Sequence, residues 1–145
     1  MAKVSDLLGS RSDIYSLLGN MTAHEAAKYL RERRVRATAV CDNDGGILGV
    51  ISQSDLSDKV AAENRHPDSV RVTEIMGKEL IKVTTDTCLE ECLSLMEEHG
   101  IYHLLVVDDR GKYKGMISAQ DLLKVIASDY KARAELLESW AFPPM

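Results

Sequence analysis

The stretch Gly49–Asp55, with the sequence GVISQSD, returns as GMISAQD at Gly115–Asp121, 66 residues further along the chain. The same spacing, without a gap, relates Val40 to Val106. Self-similarity at a fixed period indicates a repeat architecture and has to be recognised before the fold is assigned. The chain is therefore predicted to be a tandem of two small units, with its function at the place where the units meet.

Each unit shows the order strand, helix, strand, turn, strand, helix. Gly-containing turns at residues 42–46 and 108–112 are typical of hairpins, and Thr22 with Glu25 predicts a capping box at the start of a helix. The predicted strands are Ile14–Leu17, Ala37–Cys41 and Ile47–Ser52 in the first unit, and His103–Val107 and Tyr113–Ser118 in the second. One such unit buries too little apolar surface alone. We therefore predict an α/β (α+β) fold in which two pseudo-symmetric β-α-β-β-α repeats pack sheet to sheet.

The chain divides into four predicted segments: residues 1–62 for the first repeat, 63–71 for a polar linker, 72–128 for the second repeat and 129–145 for a C-terminal helical extension. The segment Val72–Met76 echoes Val4–Leu8, and each is expected to lead into its own repeat. Apolar residues at helical spacing continue as far as Trp140 in the extension. They predict either a surface for a partner or packing back onto the repeat.

Composition and charge argue against several classes of protein. The net charge of −5 is unlike that of a general nucleic-acid-binding protein, because such proteins concentrate Lys and Arg. The chain has no run of the roughly 18–20 apolar residues that a membrane span needs. The first ten residues lack the apolar core of a signal peptide, so we expect a cytoplasmic protein.

The three cysteines are an odd and sparse set, which does not make a disulfide framework. Cys88 and Cys92 are four residues apart on a predicted helix and would share a face. Cys92 belongs to the apolar stripe of that helix, and a buried free cysteine behaves as a small hydrophobe, so core packing is favoured. A metal or redox role for the pair is the alternative, although no CxxC motif accompanies it.

The repeated motif has two interpretations. As Ser-x-x-Asp between a strand and a helix, it predicts a capping box, with Ser52 or Ser118 at the N-cap and Asp55 or Asp121 in the first turn. The same geometry suits a ligand, because a helix N-terminus favours a phosphate, a serine hydroxyl adds a hydrogen bond and an aspartate accepts from ribose hydroxyls. The residues alone leave both interpretations open.

A family resemblance favours the ligand. Two copies of Gly-x-x-Ser-x-x-Asp, each preceded by an apolar strand that ends in Asp (AVCD at 39–42, LVVD at 105–108), resemble the tandem CBS-domain family, named for cystathionine beta-synthase. The similarity runs from Val4 to about Ala127, and the chain is also similar to the small stand-alone bacterial CBS-pair proteins. The resemblance implies a regulatory module that binds an adenosine nucleotide, with AMP as the first candidate and ATP or NAD as alternatives.

The resemblance also implies roles for individual residues. Ser52 and Ser118 would contact phosphate, and Asp55 and Asp121 would hold ribose. The adenine slot facing the Asp121 motif would be lined by Ile14, Tyr15, Val35, Arg36 and Ala37, and the slot facing the Asp55 motif by Leu80, Ile81, Ile101, Tyr102 and His103. Arg36 and His103 are the expected charged partners of phosphate; a surface cation and a strand histidine bonded to backbone are the alternatives.

The two expected sites depart differently from the family pattern. That pattern has an apolar residue and then Arg-His-Leu-Pro-Val where helix meets strand; residues 101–106 are IYHLLV, and residues 35–40 are VRATAV, without the His and Pro. The segment before the first unit, residues 9–14, is two residues longer than its counterpart at 77–80. We therefore expect the two sites to differ in affinity.

We expect no enzymatic activity, because the chain shows no nucleophile elbow, no P-loop and no acid–base pair with a cleft to act in. Neither a catalytic cofactor nor a metal is expected. The expected output is signal transduction through a ligand-dependent change in module or dimer geometry, in a homodimer or toward an effector protein. The alternative is a structural or protein-interaction module that binds no nucleotide and whose motifs are only helix caps.

Overall fold

A computed structural model describes residues 2–9 and 14–141, without the side chains of Arg133, Leu136 and residues 139–141. Its elements follow the two copies of the sequence. The first copy contains α1 (Val4–Leu8), β1 (Ser16–Leu18), α2 (Ala23–Arg33), β2 (Ala37–Cys41), β3 (Ile47–Ser52) and α3 (Gln53–Leu56), which continues as a π-helical turn, Ser57–Ala61. The second contains α4 (Val72–Ile75), β4 (Lys82–Thr84), α5 (Leu89–His99), β5 (His103–Val107), β6 (Tyr113–Ser118) and α6 (Ala119–Ala141).

Each copy forms its own three-stranded sheet, β1-β2-β3 and β4-β5-β6. In both sheets the first strand runs parallel to the central strand, and the last strand pairs with it in antiparallel fashion. The register repeats as well, since Leu17 pairs with Val40 and Val83 pairs with Val106. The predicted α+β class is confirmed. The first strand begins at Ser16, two residues later than expected.

Helices cover one face of each sheet. Thr22 caps α2 as predicted: the amide of Glu25 donates to the Thr22 hydroxyl and the Thr22 amide donates to the Glu25 carboxylate, both at 3.1 Å. Cys92 lies on the buried face of α5 and is fully buried. Cys88 is the N-cap residue of α5, so it precedes the helix on which it was predicted to lie. The helical faces and sheets thus form one apolar core in each repeat.

The other faces of the two sheets pack against each other. Ala39 and Cys41 of β2, Leu105 of β5 and Tyr113 of β6 form a buried cluster between the sheets, here called the central cluster. Tyr113 also crosses between the repeats, because its hydroxyl donates to the carbonyl of Tyr15 at 2.9 Å. The predicted packing of sheet to sheet is confirmed.

The two short lead-in helices are exchanged between the repeats. Val4 of α1 is buried in the core of the second repeat, and its amide donates to the Thr87 carbonyl at 2.9 Å. Val72 of α4 is buried in the core of the first repeat, where its amide donates to the Met21 carbonyl at 2.9 Å. The expectation that each segment leads into its own repeat is wrong. Each half needs the other half's segment to complete its core.

The last helix, α6, extends well beyond the second repeat. Leu122 in its first turns is buried, whereas Tyr130 and Leu137 are about two-thirds exposed, at 68% and 69%. The side chain of Trp140, and the Phe-Pro-Pro run at 142–144, lie outside the described part of the chain, as do residues 10–13 of the longer first lead-in. No helix in the described residues is long and apolar enough to cross a membrane.

The glycine of the first motif copy is required by close backbone packing. A β-carbon at Gly49 would lie 2.6 Å from both the Gly77 carbonyl oxygen and the Met76 sulfur. We predict that Gly49→Ala lowers the free energy of unfolding by about 1–3 kcal/mol, because backbone at this distance has to shift. Urea unfolding measures the change. Gly77→Ala is the matched control, since its β-carbon would approach only the Val50 carbonyl, at 3.8 Å; equal stability of the two variants would contradict this explanation.

Candidate functional site

Both copies of the repeated motif form helix caps. In the second copy the Ser118 amide donates to an Asp121 carboxylate oxygen at 3.0 Å, and the Asp121 amide donates to the Ser118 hydroxyl at 3.1 Å. Ser52 and Asp55 make the equivalent pair of bonds at 2.9 and 3.2 Å. The capping-box prediction is confirmed for both. A serine hydroxyl that accepts a hydrogen bond keeps its own proton for a second bond, so a cap does not exclude a ligand; the Ser52 hydroxyl already donates this proton to the Asp55 carboxylate at 3.1 Å.

A cavity of about 940 Å³ opens beside the second copy. This cavity, here called the Asp121 cleft, is at the upper end of the range usual for small-molecule sites, roughly 300–1,000 Å³. From the first repeat and α1 it is lined by Leu8, Ile14, Tyr15, Arg34, Val35, Arg36, Ala37 and Thr38; from the second by Tyr102, His103, the run 113–121 without gaps, and Leu123. Both repeats therefore supply its walls.

The structure brings together the residues expected around the second motif. Ile14, Tyr15 and the segment 35–37 line the same cleft as Ser118 and Asp121. The ring of Tyr15 is held against the ring of Tyr29, edge to face, with centroids 6.5 Å apart. The expected arrangement of an apolar and aromatic wall opposite a serine and an aspartate is therefore present as geometry.

The residues expected around the first motif are dispersed. Tyr102 and His103 line the Asp121 cleft instead, because β5 lies beside β6 with His103 directly opposite Ser118 in the register. Leu80 packs against the central cluster, and Ile81 and Ile101 pack against the core of the second repeat. The expectation that these five face Asp55 therefore has to be corrected for Tyr102 and His103, and the other three serve in apolar packing.

Asp55 is engaged by the protein itself. Its Oδ1 lies 3.0 Å from Lys59 Nζ, and its Oδ2 accepts from the Ser52 amide and hydroxyl at 2.9 and 3.1 Å. Lys59 also donates to the Ile75 carbonyl at 2.8 Å, which ties the ion pair to α4. The counterpart of Lys59 in the second repeat is Val125.

Charge in the Asp121 cleft is predominantly positive. Arg34, Arg36 and Lys114 line it together with His103, and Asp121 is the carboxylate among its described lining residues. Burial lowers the pKa of His103 below its usual value of 6.5, while Asp121 acts to raise it and Arg36 to lower it further. His103 is therefore mainly neutral at pH 7 and offers one donor and one acceptor.

Sequence reasoning missed several residues of the cleft, notably Arg34, Lys114 and Tyr113. One signal for Arg34 was available, because the repeat aligns it with Gly100. The cysteines do not contribute to this lining. Burial raises the pKa of Cys92 to about 11, which makes it an inert thiol. No group of three or more His, Cys, Asp and Glu residues within the described residues is arranged to hold a metal ion.

Comparison with known proteins gives consistent matches. The profile of the CBS domain family matches residues 4–62 and 72–128. An uncharacterised protein of Methanopyrus kandleri is 33% identical over 116 residues, which cover 80% of this chain and 59% of that protein. A solved CBS-domain protein of Burkholderia ambifaria is 32% identical, with a TM-score of 0.82, covering 88% of this chain and 96% of that chain. A CBS domain pair solved with 5′-methylthioadenosine and S-adenosyl-L-methionine is 23% identical, with a TM-score of 0.78, covering 89% of this chain and 98% of that chain. This similarity shows a shared fold.

The electrostatic environment of His103 is open to direct measurement. We predict that its pKa, followed by NMR of the ring protons, lies below 6.5, falls further in Asp121→Asn and rises in Arg36→Met. Since the folded state then binds the proton more weakly than the unfolded chain, this histidine lowers stability as the pH falls below about 6.5. A pKa at or above 6.5 in the wild-type protein would contradict the burial described here.

Proposed function

We propose that this chain, which belongs to the CBS domain family, is a regulatory module that binds an adenosine nucleotide in the Asp121 cleft. The observation that carries the proposal is the composition of the cleft. A serine and an aspartate at the start of a 23-residue helix share the cleft with apolar and aromatic residues of the other repeat and with the cations Arg34, Arg36 and Lys114. These groups match the three parts of a nucleotide: phosphate, ribose and base.

The phosphate would lie at the N-terminus of α6. Backbone amides and the helix dipole favour an anion there, and the hydroxyl of Ser118 would donate to it. Arg36 and His103, which line the same cleft, would add charge-assisted or neutral hydrogen bonds. Asp121 would accept from the ribose hydroxyls, as acidic residues do in dinucleotide sites. The base would lie against Ile14 and Tyr15. The CBS domain pair that was solved with 5′-methylthioadenosine and S-adenosyl-L-methionine supports the proposal, because it has the same fold and binds adenosyl groups.

Regulation would follow from the shared walls. The cleft is closed on one side by the segment 35–37 of the first repeat and on the other by the run 115–121 of the second. A ligand that contacts both sides favours one relative position of the two repeats over others, which is the requirement for a ligand-driven shift. The output would reach a second copy of the chain, as a homodimer, or an effector protein.

We propose that a ligand binds more weakly at the first motif copy than in the Asp121 cleft. A ligand at Ser52 and Asp55 would have to displace Lys59 from the carboxylate, where it is also bonded to the Ile75 carbonyl. At the second copy the position of this lysine is occupied by Val125. We therefore propose one principal ligand per chain, an adenosine nucleotide of the AMP, ADP, ATP or NAD type.

A second candidate function is a protein-interaction module that binds no nucleotide. Two observations favour it: both motif copies are complete as helix caps, and α6 exposes Leu123, Tyr130 and Leu137. Exposed apolar side chains on a helix suit a partner surface. This second function would leave the cations of the Asp121 cleft without a role.

Isothermal titration with AMP, ATP and NAD distinguishes the two functions. We predict binding of at least one nucleotide with one site per chain, and a loss of at least about ten-fold in affinity in Asp121→Ala, the equivalent of about 1.4 kcal/mol. Asp55→Ala is the matched control, because it removes the same capping interaction from the other repeat and leaves the cleft intact. Absence of heat with every nucleotide would favour the interaction module, and binding with an unchanged affinity in Asp121→Ala would contradict the location of the site in the Asp121 cleft.

A further inference from the structure

Arg34 ends helix α2 in a conformation that suits glycine. Its φ and ψ are 57° and 38°, and its amide donates to the carbonyls of Leu30 and Arg31. The counterpart in the second repeat is Gly100, with φ and ψ of 63° and 36° and the same pair of bonds to α5. The two helices therefore end in the same way, with glycine in one repeat and arginine in the other.

Arginine at this position is unfavourable for the fold. The left-handed region crowds the β-carbon against the following carbonyl, and residues that visit it routinely are Gly, Asn and Asp. In the described chain the other non-glycine residue with positive φ is Asn64, which belongs to that group. A strained residue of this kind persists where the surrounding structure holds it, and such positions concentrate at ligand sites. Ending the helix does not account for the arginine.

Arg34 lies at the boundary of two cavities. It lines the Asp121 cleft and also a neighbouring cavity of about 470 Å³ between the end of α2 and α3. Val35 and Arg36 are shared by both cavities, and Arg31 lines the second one. Arg36, Arg34 and Arg31 thus lie along the walls of two adjoining cavities. Among the described residues that line the two cavities, Asp121 is the carboxylate that opposes them.

We infer that Arg34 is a specificity residue, which makes the Asp121 cleft select adenosine nucleotides with two or more phosphates. The inference rests on the proposed function. The first phosphate lies near Ser118 and Arg36, and the second and third continue toward Arg34 and the neighbouring cavity. Guanidinium groups bind phosphate oxygens in pairs, so each added phosphate gains charge-assisted hydrogen bonds. A monophosphate ends before Arg34, and a cationic S-adenosyl group is repelled by it.

The test compares AMP, ADP and ATP by isothermal titration, at one ionic strength, in the wild-type protein and in Arg34→Gly and Arg34→Lys. We expect ADP and ATP to bind the wild-type protein at least about ten-fold more tightly than AMP. Arg34→Gly should remove this preference and change the affinity for AMP less than about two-fold. Arg34→Lys keeps the charge without the planar fork and should give an intermediate preference.

Thermal unfolding without ligand supplies an independent readout. Arg34→Gly should unfold at a higher temperature than the wild-type protein, because it restores the residue found in the second repeat. Gly100→Ala is the matched control: its β-carbon meets no atom within 4 Å, so it should lower the unfolding temperature through backbone strain and leave the nucleotide preference unchanged. A stabilised variant that still binds AMP also shows that lost ATP affinity does not come from misfolding.

Two results would overturn the inference while leaving the proposed function in place. One is equal affinity of the wild-type protein for AMP and ATP. The other is an ATP preference that persists in Arg34→Gly. Absence of binding by AMP, ADP and ATP would overturn the role of Arg34, and absence of NAD binding as well would overturn the proposed function.

Discussion

Each three-stranded sheet has a face that its own helices leave uncovered, and the burial of these two faces against each other is the constraint on which the rest of the structure depends. Ala39 and Leu105 meet there, with Cys41 and Tyr113 completing the central cluster. The exchange of the lead-in helices adds a second tie, because Val4 and Val72 complete cores across the repeat boundary. Sheets held in this way bring residues 35–37 opposite Ser118 and Asp121, so that the cleft is a consequence of how the core is closed.

The duplicated sequence then diverges where ligands would bind. The backbone of Gly77 packs closely against Gly49, where a β-carbon would lie 2.6 Å from the Gly77 carbonyl oxygen. The equivalent Gly115 lines the cleft, and a β-carbon there would meet only a Leu8 methyl group, at 3.6 Å. Asp55 is paired with Lys59, for which the second repeat has Val125. Two copies of one motif thus serve different purposes: the first holds the repeats together, and the second borders an open cavity.

Much of the fold could be predicted from the sequence, and part of the site. The hairpin strands and the Thr22 cap followed from local patterns, because periodicity and turn residues act over short distances. The sheet-to-sheet packing followed from the repeat, because one unit alone buries too little apolar surface. The exchange of the lead-in helices could not be predicted, since Val4 and Val72 satisfy an apolar pattern in either repeat. The position of His103 beside Ser118 depends on strand register and leaves no periodic signal. The pair of Asp55 and Lys59 has the i,i+4 spacing of a helical ion pair, so the sequence could have indicated it, whereas the bond of Lys59 to the Ile75 carbonyl depends on tertiary packing.

Backbone and side-chain NMR of the protein titrated with ATP tests the central claim most directly, because it reports where a ligand binds without assuming the site. The account predicts chemical-shift changes concentrated at Val35–Ala37, His103 and Ser118–Asp121, which line one cleft from two repeats. Small changes are expected at Ser52 and Asp55, because Lys59 Nζ lies 3.0 Å from the Asp55 carboxylate. Changes centred on Ser52 and Asp55, or confined to one repeat, would contradict a ligand site shared by the two halves.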